Sequence, residues 1–153
     1  MRIDYRRHEK VQRAMQGMKV HPDDLGLEPL LLELVKIRAS QVNGCAHCLE
    51  MHTKDAHALG ESEDRLNLIA AWREAPCFTD REKAALLWTE ELTKLPDTGA
   101  PDTSYEKVLK VFSEDEIVGL TIAIVAINSW NRFAVGFRSD FGSYVSPINK
   151  KVQ

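Results

Sequence analysis

The chain predicts an all-α single domain of about six to seven helices. Apolar residues recur at helical spacing, helix caps bracket most segments, and no stretch alternates with period two for long enough to make a strand. The first segment, Asp4 to about Met18, is charged with sparse apolar positions and reads as a helix. MKVHPDDLGL breaks that pattern with Pro22 and Gly26. Pro29 suits the first turn of a second helix, LLLELVKIRASQV continues it, and Gly44 stops it. Cys45 to Leu59 resumes the spacing and ends at Gly60. Ser62 is a natural N-cap, with Glu63 and Asp64 placed for the helix dipole. Thr79 and Glu82 form a capping-box pattern ahead of KAALLWTEELTKL. A turn-rich gap from Pro96 to Asp102 and a short helix from Tyr105 to Val111 follow. Ser113 and Glu116 repeat the capping box and open a last helix through Trp130 to about Phe137. Ile122 to Ile127 is β-branched enough for a strand, but its capped flank and length favour a buried helix.

With 153 residues there is room for one domain and too little for two ordinary ones. A core of that size forms without a disulfide framework. The 44% apolar and 28% charged residues are ordinary globular composition and exclude a disordered or low-complexity chain. Twenty basic against 23 acidic residues, a net charge of −3, argue against electrostatic capture of nucleic acid. The longest near-apolar run, Val118 to Ile127, is about half a bilayer-spanning helix, so no membrane partner is expected. MRIDYRRHEK has no apolar stretch for a signal peptide, and the expected location is cytoplasmic. In that compartment three cysteines argue for redox chemistry or metal binding over structural disulfides.

Cys45 and Cys48 stand three apart. At about 100° per residue, Cys45, Cys48 and His52 fall within an arc of about 60° on consecutive turns of one helix, with His47 roughly opposite. Cys48 and His52 have the i, i+4 spacing at which side chains meet, so an imidazole there can accept the thiol proton or stabilise the thiolate. Gly44 places the pair at a helix N-terminus, which also lowers thiol pKa. A thiolate attacks a peroxide O–O bond and becomes a sulfenic acid, which a second thiol one turn away condenses into a disulfide. Glu33, inside LLLELVKI with Leu30 and Ile37 on its face, sits where an unpaired carboxylate is expensive. A helix hairpin turning near Gly44 returns it towards His52, the arrangement in which a carboxylate orients a histidine that serves a thiol. Helix-terminus physics favours Cys45 as the more reactive thiol, and proximity to His52 favours Cys48.

Glu33, eleven residues, Cys45-Ala46-His47-Cys48, three residues, then His52 resembles the E-x11-C-x-x-C-x3-H motif of the AhpD alkylhydroperoxidases, in the carboxymuconolactone decarboxylase-like superfamily. The surrounding LVKIRASQVNGCAHCLEMHTKDA is similar to that core throughout, and AAWREAP, REKAALLWTEELT and INSWNRFAVGFR extend the likeness over about residues 28–137. The resemblance implies an all-helical fold, a trimer or hexamer, and thiol-dependent peroxidase activity without metal or cofactor. It implies that Cys48 attacks hydroperoxide, Cys45 resolves, and Glu33 and His52 relay protons, with His47 an auxiliary. Electrons then come from an external dithiol, in such systems a lipoyl-type donor. The superfamily's decarboxylases lack the cysteine pair, which argues against that reaction here.

Simpler readings stand beside these. Cys45, Cys48, His52 and either Glu33 or His47 could make a four-ligand zinc site, although no second Cys/His pair stands at finger-like spacing. Haem attachment needs a histidine where Leu49 stands. Glu33 could instead pair with Lys36 or Arg38 at a helix surface. His8, His21 and His57 read as surface residues, Cys77 as a bystander loop thiol, and Trp72, Trp88 and Trp130 as core or interface packing. The alternative function is a non-enzymatic redox sensor or assembly module. Val118 to Ile127, apolar almost all round, predicts a last helix buried on every side, partly by partner subunits.

Overall fold

Helix α2 (Pro29–Asn43) is the hub of the structure, a computed structural model that describes residues 1–18 and 26–148. It is apolar on both sides, burying Leu31, Leu32, Leu34, Val35, Ile37 and Ala39, and so accepts neighbours all round. Around it run α1 (Glu9–Gln16), α3 (Ala46–Ala58), α4 (Glu63–Leu68), α5 (Asp80–Thr93), α6 (Leu95–Thr98), α7 (Asp102–Leu109) and α8 (Glu114–Phe137). Helices α3, α5 and α8 pack directly on α2. There is no strand among the described residues, as expected.

Local chemistry explains most of the boundaries. Thr79 and Ser113 each make the full reciprocal capping box with Glu82 and Glu116. Ser62 caps α4 through the Arg65 amide. Gly44 ends α2 in the left-handed region at φ 65°, and the Cys45 amide reaches back to the Ser40 carbonyl at 2.9 Å. That closing pattern needs a residue free of Cβ strain, and it turns the chain directly into α3.

Three boundaries differ from expectation. The first segment is a 3₁₀ turn at Tyr5–Arg7 followed by α1, because His8, at φ −92° and ψ 84°, leaves the helical region between them. The Pro96 to Asp102 gap contains the one-turn helix α6, with Pro96 in its first turn, where a missing N–H costs nothing. Helix α7 begins at Asp102 and not Tyr105, since extended Pro101 serves as its N-cap. His21 and Pro22 lie outside the described residues.

The core has two large parts, one on each side of α2. Leu31, Leu32 and Val35 meet Ala85, Trp88, Val108, Leu120 and Ile124 on one side. Leu34 and Ile37 meet Ala56, Ile69, Trp72, Phe78 and Leu86 on the other. Trp72 and Trp88 are thus core residues, whereas Trp130 is half-buried. Helix α8, 24 residues long, is apolar enough to cross a bilayer by composition, and it runs along α2, α5 and α7. It is not enclosed on every side by this chain. Val118 is 70% exposed and Val125 44%.

The seam between α2 and α8 is polar and satisfied. Asn43 donates to Asn128 and Asn131 at 2.9 Å each, Asn131 donates to Ser40 at 3.1 Å, and Asn128 to Thr93 at 3.0 Å. Asn131 is 1% exposed, so deleting any partner strands a buried amide. This seam locks the C-terminal end of α2, from which the next turn carries the cysteines.

Candidate active site

Cys45 is the N-cap of α3, and its sulfur accepts the Cys48 amide at 3.3 Å. The two are joined as a disulfide across one turn, with Cα atoms 5.4 Å apart. Ala39 on α2 and Ile127 and Ala134 on α8 form a small apolar cluster around both cysteines, which are 1% and 4% exposed. One amide at the helix end is therefore aimed at Cys45, the feature that favours a thiolate there when the bond is reduced.

One turn beyond Cys48, His52 meets Glu33. His52 Nδ1 lies 2.8 Å from Glu33 Oε2, and since a carboxylate can only accept, Nδ1 carries the proton. The other Glu33 oxygen accepts from Lys36 Nζ at 2.6 Å. Glu33 therefore makes both the helix-surface pair and the histidine pair, although it is only 7% exposed. Burial pushes its carboxyl up, but the hydrogen bond and charge of His52, then of Lys36, outweigh burial and hold the group below the usual carboxylate range. A carboxylate that stays ionised beside a histidine fixes that ring's tautomer and leaves Nε2 for proton traffic.

The structure adds groups that the sequence reading did not find. Asp55, one turn beyond His52, places an oxygen in a cluster with Glu33 and His52 whose ligand atoms lie within 4.8 Å of one another. The Tyr144 hydroxyl donates to both Asp55 oxygens at 3.0 Å. Burial, then the Asp55 carboxylate, then Glu33 push the Tyr144 phenol well above its ordinary value, so it stays a donor throughout the working pH range. Asp55 shares a helix face with His52 and was legible at i+3. Tyr144 is 89 residues from its partner and had no local signal.

Tyr144 belongs to a segment after α8 that lies along α3. Gly142 donates its amide to Glu50 at 2.6 Å, and Lys54 donates to the Tyr144 carbonyl at 2.7 Å. His47 Nδ1 lies 2.7 Å from the Asp140 carbonyl. His47 is half-buried under this segment, on the side of α3 away from Glu33. His8 and His57 are exposed, and Cys77 is a half-buried free thiol on the second core.

The two sulfurs are bonded to each other, and among the described residues Glu33, His52 and Asp55 form a group with metal-ligand atoms close together, in which Glu33 is paired with the Lys36 ammonium.

The site is thus a one-turn disulfide beside a carboxylate–histidine pair, set in an all-helical domain. The chain belongs to the carboxymuconolactone decarboxylase family, whose sequence pattern matches residues 10–91. It is 40% identical over 128 residues to the uncharacterised Bacillus subtilis protein YdfG, covering 80% of this chain and 87% of that one. A protein of unknown function from Agrobacterium tumefaciens, put forward as an AhpD antioxidant defence protein, superposes with a TM-score of 0.88. It is 43% identical, and the match covers 94% of this chain and 99% of that chain. The debrominase Bmp8 shares the fold at a TM-score of 0.79 with 14% identity, covering 90% of this chain and 74% of its own. The fold is AhpD-like, and it hosts more than one chemistry.

Proposed function

We propose that this chain is a thiol-dependent peroxidase that reduces hydrogen peroxide or organic hydroperoxides. The observation that carries the reading is the Cys45–Cys48 disulfide one turn before a part-buried His52–Glu33 pair. The Agrobacterium relative's link to antioxidant defence supports it.

In the proposed cycle Cys48 thiolate attacks the terminal hydroperoxide oxygen. The O–O bond breaks, Cys48 becomes a sulfenic acid, and the alkoxide or hydroxide leaves with a proton delivered through His52. Cys45 thiol then attacks the sulfenic sulfur, expelling water and forming the disulfide. An external dithiol supplies two electrons to reopen it. Glu33 holds His52 in one tautomer, so the proton enters and leaves at Nε2. We also propose a homo-oligomer, a trimer or hexamer, in which Val118 and Val125 are covered.

A steady-state assay with hydroperoxides and a panel of dithiols tests the reading. Many equivalents of peroxide consumed per subunit are expected. Oxidation that stops at one equivalent and changes sedimentation would establish a redox sensor instead.

A further inference from the structure

A cycling disulfide has two sulfurs, and a reductant must reach one of them. Both cysteines are buried, but not in the same way. A cavity of about 390 Å³ opens where the end of α8 meets the start of α3, and Cys45 lines it while Cys48 does not. Thiol–disulfide exchange proceeds by attack of a thiolate on one sulfur. Cys45 is the cysteine in the wall of that cavity, and a thiol that enters there meets Cys45 first.

The cavity carries charge of one useful sign. Arg138, in its wall, ends α8 in the left-handed region at φ 55° and ψ 57°. Such a conformation is uncommon for a residue with a Cβ. Its exposed guanidinium makes no hydrogen bond or ion pair among the described residues. Asp140, the acidic residue in the lining, is occupied by the Met1 ammonium at 3.1 Å. His47 turns Nδ1 to the Asp140 carbonyl, which can only accept, so its Nε2 is left unused. Val135 and the 71%-exposed Phe141 supply apolar wall.

We propose that this cavity is the entry site for the reducing thiol, that the thiol attacks Cys45, and that Arg138 selects thiols bearing a carboxylate. The inference rests on the reading of Cys45 and Cys48 as a cycling pair. In the first step the incoming thiolate bonds to Cys45 Sγ, the Cys45–Cys48 bond breaks, and Cys48 leaves with the electron pair and takes up a proton. The second thiol of the same molecule then attacks its own sulfur in the mixed disulfide. Cys45 is released as a thiolate and the oxidised, cyclised dithiol departs, having given two electrons. Exchange from this side returns Cys48 reduced, on the helix that carries His52, ready for the next oxidant.

The test needs no peroxide, so its outcome is independent of peroxidase turnover. Oxidised protein is mixed with dihydrolipoate, a 1,3-dithiol that bears a carboxylate and closes a five-membered cyclic disulfide, or with neutral dithiothreitol, and new protein thiols are counted by quenched alkylation and mass. Arg138→Gly removes the guanidinium at a backbone conformation glycine prefers, so folding and thermal midpoint should hold or improve. We expect Arg138→Gly to slow dihydrolipoate about fivefold, in keeping with a partly exposed guanidinium–carboxylate contact. Dithiothreitol should change less than about twofold, and Arg138→Lys should recover part of the loss. Comparing each variant with wild type for the same reagent cancels the differing nucleophilicity of the two dithiols. Acid quenching during exchange with excess mercaptopropionate should trap the adduct on Cys45. Equal effects on both dithiols would overturn the carboxylate selection, and an adduct on Cys48 would overturn the direction of attack.

Discussion

Replacing Glu33 with glutamine keeps the volume of the side chain and one accepting oxygen while removing the charge and the second acceptor. Two donors converge on this carboxylate, His52 at 2.8 Å and Lys36 at 2.6 Å. The amide can satisfy only one of them and turns an N–H towards the other. Lys36 keeps about a quarter of its side chain in water (28%) and can swing out, whereas His52 at 14% cannot easily do so. The stability cost should therefore be about 1–2 kcal/mol, below the ~3–5 kcal/mol expected for a fully buried ion pair. Catalysis should suffer more. Losing the support of one general acid–base group typically costs about 10²–10⁴-fold, and the low end, about 10²-fold, is expected because His52 itself remains. Acid stability gives a second readout. The native Glu33 carboxyl titrates below its ordinary value near 4.5, so the unfolded state binds the proton first as pH falls. Its stabilisation is complete above that value and is lost as pH falls through the lower native one. Glu33→Gln should flatten the decline in stability across this window, by up to about 1.4 kcal/mol per pH unit for one proton. Peroxidase initial rates, the pH midpoint of Cys48 alkylation and urea unfolding at several pH values are the measurements. The alkylation midpoint should move to higher pH. A folded Glu33→Gln protein with wild-type rate, alkylation profile and acid stability would refute the assignment of Glu33 to the site.

Cys48→Ser should abolish peroxide consumption, while Cys45→Ser should give one burst and accumulate a sulfenic acid at Cys48 that dimedone labels; equal bursts from both would reverse the assigned order. Cys77→Ser should leave turnover unchanged, which the same assay reads. Tyr144→Phe removes the donor to Asp55 and should cost about 1 kcal/mol of stability. It should also speed amide exchange at Gly142, whose amide bonds to Glu50, because the segment along α3 loses one of its anchors. Val118→Asp places a charge on an exposed apolar position, so light scattering should give a mass nearer the monomer than wild type while circular dichroism stays helical; a monomeric wild type at micromolar concentration would remove the oligomer proposal.

Interactions within one or two helical turns were legible from residue order, because α-helical geometry and capping chemistry are short-ranged. The Thr79–Glu82 and Ser113–Glu116 boxes, the left-handed stop at Gly44, and Cys48 and His52 on successive turns all belong to that class. Glu33 was legible by a different route: an acid on an apolar face is costly unless paired, and a hairpin at Gly44 offers one place for the partner. Tertiary structure alone decided what crosses from the end of the chain to its middle. Tyr144 on Asp55, the Asp140 carbonyl on His47, and Arg138 beside Cys45 each join residues about ninety positions apart, and no periodicity or cap encodes such a meeting. The same holds for α8. Its composition is apolar almost all round, but which side faces α2 and which leaves Val118 in water depends on the packing of the helices around it. Residue order set which groups could react, and packing determined that Cys45 lines a cavity while Cys48 does not, because the surroundings of a side chain are a property of the whole enclosing surface and not of the turn that carries it.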